Sequence, residues 1–362
     1  MDKTPNIRSF VAVAAVGAAV LGVSASAGAR PQEIIFADVL NGIDPEGNSI
    51  RLVHPSGTGL RTLIPTGGGL RGLSVDAAAG LIYWTDVDNF VVRRARFDGT
   101  MQQDLVTTNV AFPSAIRLDI AAGKMYWGDQ TTEELLRADL NGANIEILGG
   151  TPFFRGIALD SASGLIYWST SHTASTGRIL RSNLDGSGQL VAVPISGSSF
   201  KPGSIALDVT AGKIYWADGV TKFIRRSNLD GSGIEDLLNT QNIGPPRAIA
   251  LDLAAGLIYW GQDVVDQDSD AFLFGEIRRM TLAGGFIETV VSGLGSVNDL
   301  ALADVNVCFA DFNGDGNVSV QDIFDFLAAY FSNDPFADFN RSGTVTVQDI
   351  FDYLAAYFAG CS

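Results

Sequence analysis

Residues 80–86 read GLIYWTD, and the phrase returns as GKMYWGD at 123–129, GLIYWST at 164–170, GKIYWAD at 212–218 and GLIYWGQ at 256–262. All five tryptophans of the chain, Trp84, Trp127, Trp168, Trp216 and Trp260, follow a tyrosine in one of these copies. Successive tryptophans are 43, 41, 48 and 44 residues apart. Each pair is preceded by a short apolar stretch ending in Asp: GLSVD, AIRLD, GIALD, SIALD and AIALD. Each is followed by an arginine-rich stretch and a turn: RRARFDG, LLRADLNG, ILRSNLDG, IRRSNLDG and IRRMTLAG. A further apolar stretch such as DLVTT or IEILGG leads to the next unit. The Asp-Gly and Asn-Gly pairs mark hairpin turns, because both residues tolerate positive φ. Four short strands per unit, at a period near 45 residues, predict a β-propeller.

A degenerate sixth copy precedes the five. Residues 34–38 read IIFAD, which puts Phe36 where Trp84 stands, 48 residues earlier. This first unit has no inner strand before it, and the missing strand reappears as DLALAD, Asp299 to Asp304. Pairing it with the first unit closes a ring of six blades and removes two open sheet edges. Neighbouring strand residues point to opposite faces, so Tyr and Trp are expected to pack against the two adjacent blades. Each large aromatic buries on the order of 150–250 Å². The aromatic pair is thus read as the frame of the fold, not as a site shown several times.

These repeats resemble the YWTD, or class B, repeats of the low-density lipoprotein receptor over residues 33–304. The resemblance implies a six-bladed propeller that acts as a rigid, non-enzymatic binding platform. The Asp after the pair is kept at Asp38, Asp86, Asp129 and Asp218 and replaced by Thr170 and Gln262. Those two blades are expected to differ in their interblade hydrogen bonds.

Charge and composition narrow the function. The 362-residue chain carries a net charge of −16 and a pI near 4.4, which argues against binding a nucleic-acid backbone. Its two histidines, His54 and His172, lie in unrelated contexts, so a multi-histidine zinc site is not expected. At the N-terminus Lys3 and Arg8 precede an apolar run from Phe10 to Val23, and Ala25-Ser26-Ala27 matches an A-x-A cleavage pattern. Residues 1–27 therefore read as a secretory signal peptide, with an uncleaved anchor as the alternative. No later stretch is long and apolar enough to span a bilayer, and the mature protein is expected outside the cell.

Residues preceding the inner strands are expected to line one mouth of the central channel. Arg71, Arg155, Lys201, Arg247 and Asn298 are the candidates, four of them basic in an acidic chain. They could focus an anionic ligand such as an acidic glycan; alternatively each pairs with a blade aspartate. A longer loop in unit six holds Asp266, Asp268 and Asp270, as a cation site or a solvated acidic turn.

From Asp311 the chain reads DFNGDGNVSVQDIFDFLAAYF and from Asp338 DFNRSGTVTVQDIFDYLAAYF, two copies 27 residues apart. Oxygen-bearing residues at loop positions one, three and five, Gly at six and a carboxylate at twelve form the spacing of an EF-hand calcium loop. The first site would use Asp311, Asn313, Asp315, the carbonyl of Asn317 and Asp322, with Ser319 through water. The second would use Asp338, Asn340, Ser342, the carbonyl of Thr344 and Asp349, with Thr346 through water. Between Val305 and Ser362 eight Asp face one Arg, a net of −7, which two Ca²⁺ would reduce to −3. The second loop has one carboxylate fewer and Arg341 inside it, so it is expected to bind more weakly.

Duplicated half-hands ending in Asp resemble the dockerin modules of bacterial cellulosomes, over about residues 308–362. That resemblance implies a small α-helical, calcium-folded domain, assigned here to 305–362, which docks onto a cohesin-like or other surface protein. It also raises an alternative role within a polysaccharide-degrading, carbohydrate-hydrolysing complex. Cys308 and Cys361 bracket this module. In an oxidising compartment a disulfide between them would contribute roughly 4 kcal/mol by loop closure; two buried thiols are the alternative. The sequence thus predicts a secreted, non-enzymatic propeller with an unknown protein or acidic-glycan ligand, joined to a calcium-dependent tether.

Overall fold

The computed structural model describes residues 32–39, 48–150, 154–173, 176–194, 201–303, 312, 318–332, 337, 339 and 345–359. Residues 1–27, Cys308, Cys361 and most of the calcium loops therefore lie outside the described residues. Among the described residues the strands form six sheets of four, each an antiparallel meander from an inner to an outer strand. The inner strands are Leu70–Asp76, Pro113–Asp119, Phe154–Asp160, Pro202–Asp208, Pro246–Asp252 and Ser296–Ala303.

The last of these belongs to the first blade. Ser296–Ala303 pairs antiparallel with Glu33–Val39, setting Phe36 opposite Leu300 and Ile35 opposite Ala301. In blades two to six the same register sets Trp84 opposite Leu73, Trp127 opposite Ile116, Trp168 opposite Ile157, Trp216 opposite Ile205 and Trp260 opposite Ile249. IIFAD is thus the sixth copy in three dimensions as well as in sequence.

The aromatic pair works as the alternation predicts. Tyr83 of blade two shares a buried cluster with Trp127 of blade three. Tyr126 meets Trp168, Tyr167 meets Trp216, and Tyr215 meets Trp260. The ring closes where Tyr259 of blade six packs with Phe36 of blade one, and where Ile35 packs with Trp84. Six clusters therefore serve six interfaces, each built from the tyrosine position of one blade and the tryptophan position of the next.

Arginine adds a polar strap across four of these interfaces. Arg94 Nη1 donates to the Tyr83 hydroxyl at 3.3 Å and to the carbonyl of Leu140 in the next blade at 3.2 Å. Arg137, Arg226 and Arg279 donate in the same way to the carbonyls of Leu184, Leu282 and Pro55 at 2.9, 2.9 and 3.0 Å. Each guanidinium is held from its own blade by a polar outer-strand side chain: Gln103, Glu146, Glu235 or Glu288. This gives the third-strand arginine a role in four of the five intact units.

Two expectations are corrected. The aspartate after the pair does not bridge blades. Asp129 accepts from the amides of Ala111 and Phe112 at 2.7 and 2.9 Å and from those of Thr131 and Thr132, all within its own blade. The interblade bond comes from the residue before it: Thr85 donates to the Ser114 carbonyl at 2.6 Å, and Ser169 donates to that of Gly203. In blade six Gln262 replaces the aspartate and accepts from the Trp260 indole at 2.9 Å, a bond the shorter aspartate does not make at Trp84, Trp127 or Trp216.

The turn between third and fourth strands also differs from the type inferred. Of the Asp-Gly pair only Gly99 takes positive φ, while Asp98 accepts from the Thr100 amide at 2.8 Å and Met101 supplies a second positive φ before the next strand. A Cβ on Gly142 would stand 2.2 Å from the Leu105 carbonyl of the preceding blade, so that glycine also permits close blade packing.

Deleting an interface aromatic leaves a cavity that a closed ring cannot collapse around. Trp84→Ala is expected to cost about 3–5 kcal/mol in urea unfolding. Glu276 offers a second check. Burial pushes its carboxyl above the ordinary range, against the opposing influence of Arg278 and a bond with Thr289. The folded chain then holds this proton more tightly than the unfolded one. The side chain favours folding at low pH and counts against it as pH rises through its folded value. Glu276→Gln should therefore stabilise the protein at neutral pH and leave unfolding unchanged in acid.

Candidate functional site

The mouth of the channel is formed where the inner strands begin. A bulge interrupts each inner-strand pairing near this end, as between Leu70 and Leu73, Phe154 and Gly156, or Pro246 and Ile249. Bulges re-aim side chains, and here they recur at one level of the ring. Two residues before the partner of each aromatic stand Arg71, Ser114, Arg155, Gly203, Arg247 and Asn298.

Arg71 and Arg155 line one cavity, and Arg247 is near enough to influence both electrostatically. The Arg71 guanidinium is pushed below its ordinary value by burial, then by Arg155 and Arg247, with Asp88 acting in opposition. Arg155 is lowered by burial and by Arg247. All three remain exposed at the mouth, yet protein surrounds Arg71 and Arg155 closely enough to strip part of their hydration. Arg71 lies over the Phe112 ring, 5.3 Å from its centre. Arg247 alone follows the frame alternative, pairing with buried Asp263 at 2.6 Å, and Asp263 is fixed in turn by Ser296 at 2.7 Å. Among the described residues neither Arg71 nor Arg155 forms an ion pair.

Asn298 joins them in lining a cavity of about 30 Å³, and its amide donates to the Leu70 carbonyl at 2.9 Å. Lys201 stands apart. It precedes the mouth position by two residues, its amide donates to Asp218 at 3.0 Å, and it does not line the cavity.

Below the mouth lies a pair that sequence reasoning missed. Arg117 of blade three donates to both carboxylate oxygens of Asp299 in blade one, at 2.9 and 3.2 Å. The Leu73 amide of blade two, between them, donates to the same carboxylate at 3.0 Å, and Arg117 reaches the Leu73 carbonyl at 3.1 Å. Three inner strands are thereby joined across the channel. The signal was present in the repeat. Arg117 stands where the other units have Ser74, Ala158, Ala206, Ala250 and Ala301, and Asp299 where they have Gly72, Ala115, Gly156, Ser204 and Ala248. Two charges break a pattern of small residues, and only the ring brings them together.

The unit-six loop does not gather its carboxylates. Asp266 accepts from the amides of Asp268 and Ser269 and from the Ser269 hydroxyl, bonds that hold its carboxyl below the ordinary range. Asp270 faces Lys222 at 3.3 Å. Among the described residues no three His, Cys, Asp or Glu side chains are grouped to hold a metal.

In the C-terminal segment, helices α1 (Val320–Phe331) and α2 (Val347–Ala359) repeat one another. Phe326 and its counterpart Tyr353 are fully buried and stack at 4.2 Å, with Phe312 and Phe339 set edge-on against them. Ser319 caps α1, and its amide and hydroxyl both donate to Asp322; Thr346 does the same to Asp349. Of the ten ligand positions expected from the loop spacing, only these two aspartates are described, and both are fully buried. A buried carboxylate at position twelve of each loop fits a calcium ligand. Part of the apolar helix surface stays outside this core: Phe324, Phe331, Phe351 and Phe358 are exposed.

Comparison with known proteins agrees with the ring. The profile of the low-density lipoprotein receptor repeat class B matches residues 212–253. That stretch runs from the second strand of blade five to the inner strand of blade six, so the sequence repeat straddles two blades. The molecule is a six-bladed β-propeller with a class B repeat. The human low-density lipoprotein receptor-related protein 5-like protein is 32% identical over 161 residues, 44% of this chain and 62% of its own length. The low-density lipoprotein receptor-related protein 1 of Pyricularia oryzae is 41% identical over 92 residues, 24% of this chain and 29% of its own. The chain thus spans less than two thirds of either relative. Among solved structures, a chain of a nidogen/laminin complex superposes with a TM-score of 0.61 at 17% identity, covering 76% of this chain and 99% of that one. TolB from Acinetobacter baumannii gives 0.59 at 13% identity, covering 75% and 66%. At these identities the likeness is one of fold. No helix among the described residues is long and apolar enough to cross a membrane.

Removing one partner of the Arg117–Asp299 pair strands a largely buried charge. Arg117→Met and Asp299→Leu are each expected to cost about 3–5 kcal/mol, while the double variant costs less than either. Urea unfolding of the four proteins closes this cycle, and additive losses would show that the two groups act independently.

Proposed function

We propose that this chain is a secreted, non-enzymatic binding protein. Its propeller presents the channel mouth as a rigid platform for a protein or glycan, and its C-terminal module folds around two calcium ions and tethers the platform to an extracellular assembly or cell surface. The observation that carries the platform reading is the division of labour among charges. Blade arginines such as Arg94, Arg137 and Arg226 are bound into the interfaces, whereas Arg71 and Arg155 converge at the mouth without a carboxylate partner among the described residues. Relatives named for the lipoprotein receptor, and a chain of similar fold from a nidogen/laminin complex, support a macromolecular ligand.

The tether reading rests on the duplicated loops, the two buried aspartates at their twelfth positions, and the exposed phenylalanines of both helices. Calcium supplies the positive charge that seven excess negative charges in residues 305–362 require. Asp322 and Asp349 would hold it from the first turns of their helices, with Ser319 and Thr346 fixing the carboxylates.

Calorimetry of the full chain should find two calcium sites of unequal affinity, and Asp315→Ala should abolish the tighter one while helical ellipticity falls in chelator. A chain that neither binds calcium nor changes ellipticity with chelator is not tethered in this way. For the platform, the immobilised chain should retain one defined surface or secreted component from its source cells. That component should be lost on Arg71→Gln/Arg155→Gln. Retention that ignores the double substitution places the ligand elsewhere.

A further inference from the structure

The cavity under the mouth is walled by Arg71 and Arg155 of blades two and four, Arg117 of blade three, Ser204 of blade five, and Asn298 and Asp299 of blade one. Five of the six blades contribute, so it lies within the central channel. Blade six adds no side chain to this wall, and its Arg247 is turned onto Asp263 at 2.6 Å. The wall therefore carries three guanidiniums and one carboxylate. That carboxylate is fully engaged. Asp299 accepts from Arg117 at 2.9 and 3.2 Å, from the Leu73 amide at 3.0 Å and from the Leu300 amide at 3.0 Å. Arg117 and Asp299 cancel one another, and the charges of Arg71 and Arg155 remain. Neither of these two forms an ion pair among the described residues. Burial, which disfavours the charged form, pushes both guanidiniums below their ordinary value. Two neutral groups on the same wall have protons to give. Ser204 Oγ accepts from the Ile249 amide at 3.3 Å, and its own proton has no acceptor among the described residues. The Asn298 amide gives one hydrogen to the Leu70 carbonyl at 2.9 Å and keeps the other.

We infer that this cavity is a binding site for one halide ion, chloride in ordinary salt. Its volume of about 30 Å³ takes a monatomic ion or roughly two waters, and is too small for a sulfate or phosphate. Water alone would leave two positive charges uncompensated on one partly dehydrated wall, whereas a single anion beside Arg71 and Arg155 offsets both. A halide has no preferred direction for the donors it accepts from. Guanidinium, hydroxyl and amide groups that reach it from different blades can therefore serve it together. Ala115 and Gly156 complete the lining without bulk, which keeps the space open. Both arginines are also exposed at the mouth, so the ion can exchange with solvent. An ion held by groups of several blades favours the closed ring over the unfolded chain, and so adds to stability by mass action. The inference is independent of the platform reading, because a monatomic ion within the channel leaves the face around the mouth free for a partner.

The test is thermal unfolding of the full chain with calcium, at constant ionic strength, as sodium gluconate is replaced by sodium chloride or bromide. Anomalous diffraction from crystals grown in bromide locates the ion. Tm should rise with either halide and level off at saturation, and one bromide peak should lie in the cavity. Arg155→Gln should raise the halide concentration needed by about tenfold or more and remove the peak. In gluconate the same variant should unfold no lower than the parent, since it removes an uncompensated charge. Should Arg155→Gln fail to fold, Arg71→Gln and the bromide peak decide. Lys213→Gln, at the opposite end of an aromatic strand, should keep the full response. A Tm indifferent to halide, a response that survives both arginine substitutions, or a bromide peak only outside the cavity overturns the inference. A peak in the crystal without a response in solution marks binding at crystal concentration only, and overturns it as well.

Discussion

The contact between the tyrosine position of one blade and the tryptophan position of the next is what the rest of the structure depends on. A four-stranded meander has two faces, and neither can be left in water without losing the hydrophobic burial that orders it. Stacking blades buries both faces at once, but only if the stack returns to its start. The sixth interface, Tyr259 against Phe36, is therefore as necessary as the five with tryptophan. Around the smaller phenylalanine there, the final inner strand, from the other end of the chain, packs Leu300 and Val297 into the same cluster, while Ile35, in the place of a tyrosine, packs with Trp84.

Once that frame is closed, polar groups divide into those that hold it and those that it displays. The aspartate after the aromatic pair organises its own blade's loops, the hydroxyls of Thr85 and Ser169 join inner strands, and the third-strand arginines reach the next blade's carbonyls. The Arg117–Asp299 pair adds a cross-channel brace between blades that do not adjoin. Each of these groups is satisfied by neighbours a ring supplies, and is spent on shape. At the mouth Arg71 is held by an aromatic face and Arg247 by a single carboxylate, in a protein whose net charge is strongly negative.

The C-terminal segment solves the same burial problem by duplication. Two copies too small to form a core alone pack through one stacked pair, Phe326 on Tyr353, with one further aromatic from each copy on its edges. A core of this size is marginal without a further source of stability. That is the physical case for calcium at the loops whose twelfth positions, Asp322 and Asp349, are buried at the helix starts.

Much of the fold was legible because a propeller writes its period into the chain. The spacing of five tryptophans, the degenerate IIFAD and the stray strand DLALAD determined six blades and the place of closure. The alternation of Tyr and Trp determined which blade each would meet. The basic residues before the inner strands were visible too, but not which of them converge: Arg71, Arg155 and Arg247 share the mouth, and Lys201 does not. The role of the aspartate was misjudged, since a pattern shows where a carboxylate sits and not which amides surround it. Arg117 and Asp299 are 182 residues apart, and each alone reads as an irregularity in its repeat. Local sequence determines local period and side-chain facing, because strand geometry is set by neighbouring residues. Which charges meet across the channel is decided only in the tertiary structure, because closing the ring sets distances between blades that no stretch of sequence encodes.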